Sequence, residues 1–192
     1  TNPWHYKFTW NPRNVVLAGQ GTAQYLRKKK LKFIPYNRLF SETWEIDVPN
    51  MGPFEVYANR DSLLYREQYG LKDIPTILRG TIRYPGFCEA WNALIKIGLT
   101  DADFPILSSG ELTYHALMEA FAPPGPGSVK DRIAMLIGED PDSEVIEKLT
   151  WLGLFRKKKI GIENATPALI LENLLLKKWK LEADDKDMII MQ

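Results

Sequence analysis

A chain of 192 residues, 45% hydrophobic and 26% charged, has the balance of a folded globular protein with room for one ordinary domain and a smaller one. Lys and Arg number 25 against 24 Asp and Glu, so a formal charge of +1 sets up no global field towards nucleic acid or an anionic membrane. A single cysteine, Cys88, excludes an internal disulfide, and with His5 and His115 the only histidines, no zinc set of ligand-like spacing can be drawn; a reducing, cytoplasmic setting fits.

Trp4, Tyr6, Phe8 and Trp10 recur at period two and predict a strand with an aromatic face, ending at Asn11-Pro12. Asn is a good N-cap and Pro suits the first helical turn, so a helix is expected from Arg13 to about Tyr25, although Gly19 and Gly21 oppose it. The run Arg27-Lys28-Lys29-Lys30 reads as a solvated turn joining strands at Tyr25-Leu26 and Leu31 to Ile34, in preference to a phosphate site. After the turn signal Asn50 to Pro53 comes a short strand, Phe54 to Tyr57, and then a helix capped by Asp61 or Ser62 that stops at Gly70. Thr76 to Tyr84 predicts a strand interrupted by Gly80, and Phe87 to Ile97 a helix burying Ala90, Trp91, Leu94 and Ile97, ended by Gly98. The character then changes to helices at Thr113 to Phe121, Ser143 to Leu149 and Pro167 to Leu181, before a strand-like return at Asp187 to Gln192.

No apolar run approaches the roughly 20 residues needed to span a bilayer, and the first residues lack the pattern of a signal peptide. There is no initiating Met. With an end inside a strand-like run, this predicts a piece cut from a longer chain.

Three segments carry chemistry. Tyr57 to Ser62 places an amide, a guanidinium, a carboxylate and a hydroxyl at the end of a strand. In Arg79 to Tyr84, period two puts Arg79, Thr81 and Arg83 on one face, where two guanidiniums flanking a hydroxyl suit a carboxylate-rich ligand, and Gly80 allows close approach of a ligand or backbone. The third is the aromatic run from Tyr6 into Pro12-Arg13. Each has a structural alternative: Arg60 with Asp61, and Arg79, in ion pairs, and the aromatic residues in a core. His5, His115 and Cys88 each lack an evident orienting partner and are expected to be packed or exposed side chains.

In this order the segments resemble the glutamate-forming saccharopine dehydrogenases, or saccharopine reductases. There a Tyr-Lys-Phe-Ser-Trp-Ser-Pro-Arg stretch precedes Pro-Asn-Arg-Asp-Ser and Arg-Gly-Thr-Leu-Arg-Tyr. Here they stand as Tyr6 to Arg13, Ala58 to Ser62 and Arg79 to Tyr84, with later matches at Trp151 to Phe155 and Asp187 to Gln192. Ala58 replaces the family's Pro, and Asn14 stands where a Gly often follows Pro-Arg. The family's nucleotide-binding domain has no counterpart, because Gly19-Gln20-Gly21 lacks the third glycine of the dinucleotide turn.

The resemblance implies a part of an enzyme of lysine metabolism and amino-acid biosynthesis that oxidises saccharopine to glutamate and aminoadipate semialdehyde, or runs the reverse, with NADP or NAD. The cofactor and the proton-handling groups are expected in the missing domain, so no catalytic, cofactor or metal residue is assigned and the piece alone is expected to be inactive. Arg60 and Trp10, then Thr81 and Arg83, are the implied substrate-binding residues. A homodimer through the sheet is expected, with no nucleic acid or membrane partner. Alternatives are a related reductase such as carboxynorspermidine dehydrogenase, and a non-catalytic dimerisation or regulatory module.

The fold class expected is α+β: a mixed or mostly antiparallel sheet from strands near Tyr6, Phe33, Val56, Ile82 and Ile189, covered by helices on one face. The resemblance implies the form of a glyceraldehyde-3-phosphate dehydrogenase C-terminal domain, with an all-helical insert. Residues 1–100 are assigned to the substrate-binding and dimerisation domain, 101–182 to the insert and 183–192 to the return strand.

Overall fold

The computed structural model describes residues 2–186. Asn11 accepts a hydrogen bond from the Arg13 N–H and Pro12 opens the first helix, α1 (Pro12–Leu17), as those residue types predict. The helix is shorter than expected. A 3₁₀ turn, Ala18–Gln20, ends it, and the chain is already extended at β1 (Ala23–Arg27), which pairs antiparallel with β2 (Lys30–Ile34). Lys28 and Lys29 form the exposed turn with left-handed φ of 51° and 62°.

A second, three-stranded sheet follows, in the order β3 (Thr43–Val48), β4 (Gly52–Ala58), β5 (Gly80–Arg83), all antiparallel. The register aligns Thr43, Tyr57 and Thr81 in one row and Glu45, Glu55 and Arg83 in another, and period two puts both rows on the same face. This face meets α3 (Phe87–Ile97): Glu55 Oε1 accepts the Cys88 N–H at 2.6 Å, capping a helix whose own N-cap, Gly86, has no side chain to do so. Gly80 is needed where the strands touch, since a Cβ there would stand 2.5 Å from Val56 Cγ1. Between β4 and β5 lies α2 (Leu64–Gln68), stopped before Gly70 at φ 66°.

The remaining helices are α4 (Tyr114–Phe121), α5 (Val129–Ile137), α6 (Glu144–Leu152) and α7 (Pro167–Lys178). Each begins at a hydroxyl N-cap, Thr113, Ser128, Ser143 and Thr166 in turn. Ser128 and Asp131 form a capping box, and those bonds hold the Asp131 carboxyl below its usual range. Helix α3 packs against α5 and α6, while α1 packs against α7.

Two expected strands change, and the single sheet expected from strands near Phe33, Val56 and Ile82 is divided into two. The aromatic run from Trp4 to Trp10 is not a strand: Asn2 folds it by accepting from Trp4 N–H and donating to the Tyr6 carbonyl, His5 turns at φ 47°, and Phe8 N–H donates to Trp179 O instead of to a ladder. Trp4 and Phe8 are core while Trp10 is exposed, so the period reflected two kinds of burial and no pleat. The long strand over 76–84 shrinks to β5, with Ile77 bridging Leu26 of β1 instead. Strand β3, whose Trp44, Ile46 and Val48 alternate with polar residues, and helix α5, with its Ser128 cap, were both legible and are additions to the expected elements. The expected strand from Asp187 to Gln192 lies outside the described residues.

The core runs through the whole molecule, and its centre is aromatic. Trp179, fully buried, has ring neighbours Trp4 at 5.3 Å, Tyr6 at 5.0 Å, Phe8 at 5.3 Å, Phe87 at 6.1 Å and Trp91 at 5.9 Å. It joins the first residues to α3 and the end of α7. Trp179→Ala is therefore expected to cost about 3–5 kcal/mol, the range for emptying a buried aromatic site. Urea unfolding followed by fluorescence should show this as a lower midpoint at little-changed slope.

Candidate functional site

A cavity of about 1300 Å³ opens where the aromatic run, α1, the end of β4 and β5 converge. Its lining includes each residue singled out for binding: Trp10, Arg60, Thr81 and Arg83. Trp10 is 70% exposed, so its indole is an open wall and not part of the core.

The turn after β4 separates structural from cavity-facing side chains. Asp61 is engaged by Gln24 Nε2 at 2.8 Å and by Leu63 N–H at 2.8 Å, so it braces the turn ahead of α2. Ser62, 1% exposed, accepts from Arg79 N–H at 2.9 Å and ties the turn to the strand leading into β5. Arg60 is thus left out of the ion pair with Asp61 that was its structural alternative. Its backbone takes a left-handed φ of 55°, its carbonyl accepts from Gln24 N–H, and its side chain is exposed at the cavity. A non-glycine residue in that region is uncommon and is held there by the surrounding bonds.

Arg83 is half-buried among rings, with its guanidinium 4.9 Å from the Tyr6 centroid, 5.1 Å from Phe87 and 5.9 Å from Tyr57. Nη1 donates to the Ile82 carbonyl and Nε is buried without a partner. Arg79 lies over the Tyr65 ring at 5.3 Å. Among the described residues the ion pairs of arginine belong to Arg13, Arg38 and Arg132, and none of Arg60, Arg79 or Arg83 has a carboxylate partner. The one acid of the described cavity lining, Asp185, is taken by Lys7 at 2.6 Å; that bond lowers the Asp185 pKa and raises that of Lys7. Among the described residues, the guanidiniums that line the cavity therefore have no neutralising acid.

Asn59, absent from the sequence-based candidates, also lines the cavity, and its Nδ2 donates to Thr81 Oγ1 at 3.0 Å. Tyr57 beneath them is 5% exposed; burial raises its phenol pKa, opposed by the charge of Arg83 and by hydrogen bonds from Thr81 and Arg83. The position of Asn59 in the quoted motif was the available signal, but which of the four polar residues after Ala58 face outwards is set by tertiary bonds. His5 stands against the Tyr84 ring at 5.5 Å, and no group of three or more potential metal ligands occurs among the described residues. No helix of the described residues is long and apolar enough to cross a membrane.

Comparison with known proteins is consistent along the whole chain. The family model described as saccharopine dehydrogenase C-terminal domain matches residues 1–192. The chain is 30% identical over 200 residues to the saccharopine dehydrogenase [NADP(+), L-glutamate-forming] of Saccharomyces cerevisiae, covering all of this chain and 44% of that protein. It is 35% identical over 153 residues to alpha-aminoadipic semialdehyde synthase of Arabidopsis thaliana, covering 77% of this chain and 14% of that one. The structure of apo saccharopine dehydrogenase (L-Glu forming) from Saccharomyces cerevisiae superposes with a TM-score of 0.76 at 27% identity, over 94% of this chain and 42% of that chain. The chain thus spans less than half the length of these relatives.

Cys88, in the first turn of α3, is 1% exposed, and burial together with the Glu55 carboxylate pushes its thiol pKa well above the ordinary range. It should react with a thiol reagent at pH 8 at least about 100-fold more slowly in the native protein than in guanidinium, where the thiolate is accessible. Fast labelling of the native protein would contradict this burial.

Proposed function

The chain belongs to the saccharopine dehydrogenase C-terminal domain family, and from that premise we propose that it is the substrate-holding part of an enzyme that interconverts saccharopine with glutamate and aminoadipate semialdehyde. The observation that carries this reading is the convergence of Arg60, Arg79 and Arg83, without carboxylate partners among the described residues, on one cavity beside the exposed indole of Trp10. Saccharopine offers three carboxylates joined by methylene chains. Guanidiniums bind carboxylates through paired, charge-assisted hydrogen bonds, and an indole face covers methylenes that would otherwise remain in water.

In this proposal Arg60 and Arg83 take carboxylates, Thr81 stands between them on the same strand face as Arg83, and Trp10 packs on the aliphatic part. The hydride carrier is NADP, as in the names of the fungal relatives, and it binds to a separate nucleotide domain together with the proton-handling groups. What this chain contributes is orientation: it holds the carbon next to the secondary amine at a fixed place, so that hydride transfer is effectively unimolecular. The sheet of β3, β4 and β5 is proposed to extend in the complete protein to the form of a glyceraldehyde-3-phosphate dehydrogenase C-terminal domain and to carry a homodimer contact.

The test is Arg60→Ala in the full-length polypeptide. Truncating one partner of a charge pair that is desolvated on binding costs about 2–5 kcal/mol, or roughly 30-fold to several-thousand-fold in affinity. The saccharopine KM should rise by that order while NADP affinity is unchanged, because the two ligands meet different domains. An unchanged KM, with an unchanged melting temperature, would remove Arg60 from the site.

A further inference from the structure

A cavity whose guanidiniums have no carboxylate partner among the described residues accounts for carboxylates but not for a nitrogen. An ammonium or secondary amine brought into it is repelled by Arg60, Arg79 and Arg83 and needs an acceptor. Asp185 is consumed by Lys7, and the amide of Asn2 by Trp4 N–H and the Tyr6 carbonyl. Asn59 differs. Its main-chain N–H donates to the Arg79 carbonyl at 2.8 Å and its Nδ2 to Thr81 Oγ1 at 3.0 Å, while its Oδ1 accepts nothing from the described residues.

The direction of that amide follows from the hydroxyl beside it. Nδ2 is the amide atom that faces Thr81, and Oγ1 accepts from it at 3.0 Å. With the amide nitrogen facing Thr81, the carbonyl oxygen is turned away from it. A neutral oxygen suits this place better than a carboxylate, which would repel the ligand's own acids.

We propose that Asn59 Oδ1 accepts an N–H of the ligand's ammonium or secondary amine, with Thr81 as the residue that positions it, so that the cavity selects an amino dicarboxylate over a plain dicarboxylate. This rests on the carboxylate-binding reading given above. It adds a selectivity that arginines cannot supply, since they bind both ligands alike.

The experiment is calorimetry on the full-length polypeptide with saturating NADP, using L-glutamate and glutarate, which share two carboxylates and differ in the nitrogen. Asn59→Leu should weaken L-glutamate about ten-fold or more, the scale of one hydrogen bond to a charged group, and move glutarate less than about two-fold. Thr81→Val should lose part of the same discrimination, and Thr81→Ser should recover most of what Thr81→Val loses; this pair decides the matter if Asn59→Leu does not fold. Equal weakening of both ligands, or no change in either, overturns the assignment. Arg60→Ala separates the two levels: if it weakens both ligands while the Asn59 and Thr81 variants show no discrimination, the Asn59 role alone falls. If Arg60→Ala binds both as the unaltered protein does, or the unaltered protein binds neither, the carboxylate reading falls with it.

Discussion

The contact on which the structure depends is the aromatic packing around Trp179. Its ring is met by Trp4, Tyr6 and Phe8 from the first residues and by Phe87 and Trp91 from α3, and its carbonyl accepts the Phe8 N–H. Edge-on aromatic pairs add about 0.5–1.5 kcal/mol each beyond their buried area, so the cluster can hold a segment that has no strand or helix of its own. Tyr6 and Phe87 in turn are two of the rings that surround the Arg83 guanidinium. The cavity wall is therefore an extension of the core, and the orientation of Arg83 is set by packing before any ligand arrives.

The same economy is visible in the turn after β4. Asp61 and Ser62 spend their polar groups on Gln24, Leu63 and Arg79, which locks the turn to β1 and to the strand beyond. Asn59 and Arg60, adjacent in sequence, are thereby released to the cavity. A short motif thus does two jobs, and the structural half is what holds the cavity-facing half in place. Preorganisation of this kind lowers the ordering cost of binding.

Charge is distributed accordingly. The chain is close to neutral as a whole, yet three guanidiniums line one opening with no carboxylate partner among the described residues, while Glu55, on the same sheet face as Arg83, is turned to the N-terminus of α3. In the proposed reading, affinity follows the number and spacing of carboxylates, and Asn59 is the acceptor that tells one polycarboxylate from another.

Local signals determined much of this protein. The Asn11-Pro12 start of α1, the span of α3 closed by Gly98, the lysine turn between β1 and β2 and the hydroxyl caps of α4, α6 and α7 all follow from interactions within a few residues, and so are written in the sequence itself. The ordered motifs likewise marked Trp10, Arg60, Thr81 and Arg83, which the fold brings to one cavity. Tertiary structure alone decided the rest. Whether Trp4 to Trp10 pleats as a strand depends on a partner strand, and Trp179 offered a packing site instead. Whether Arg60 pairs with Asp61 depends on Gln24, 36 residues upstream of Arg60, which claims the carboxylate first. The facing of Asn59 depends on a hydroxyl in another strand, because a side chain's free donors and acceptors are known only after the fold has used the others.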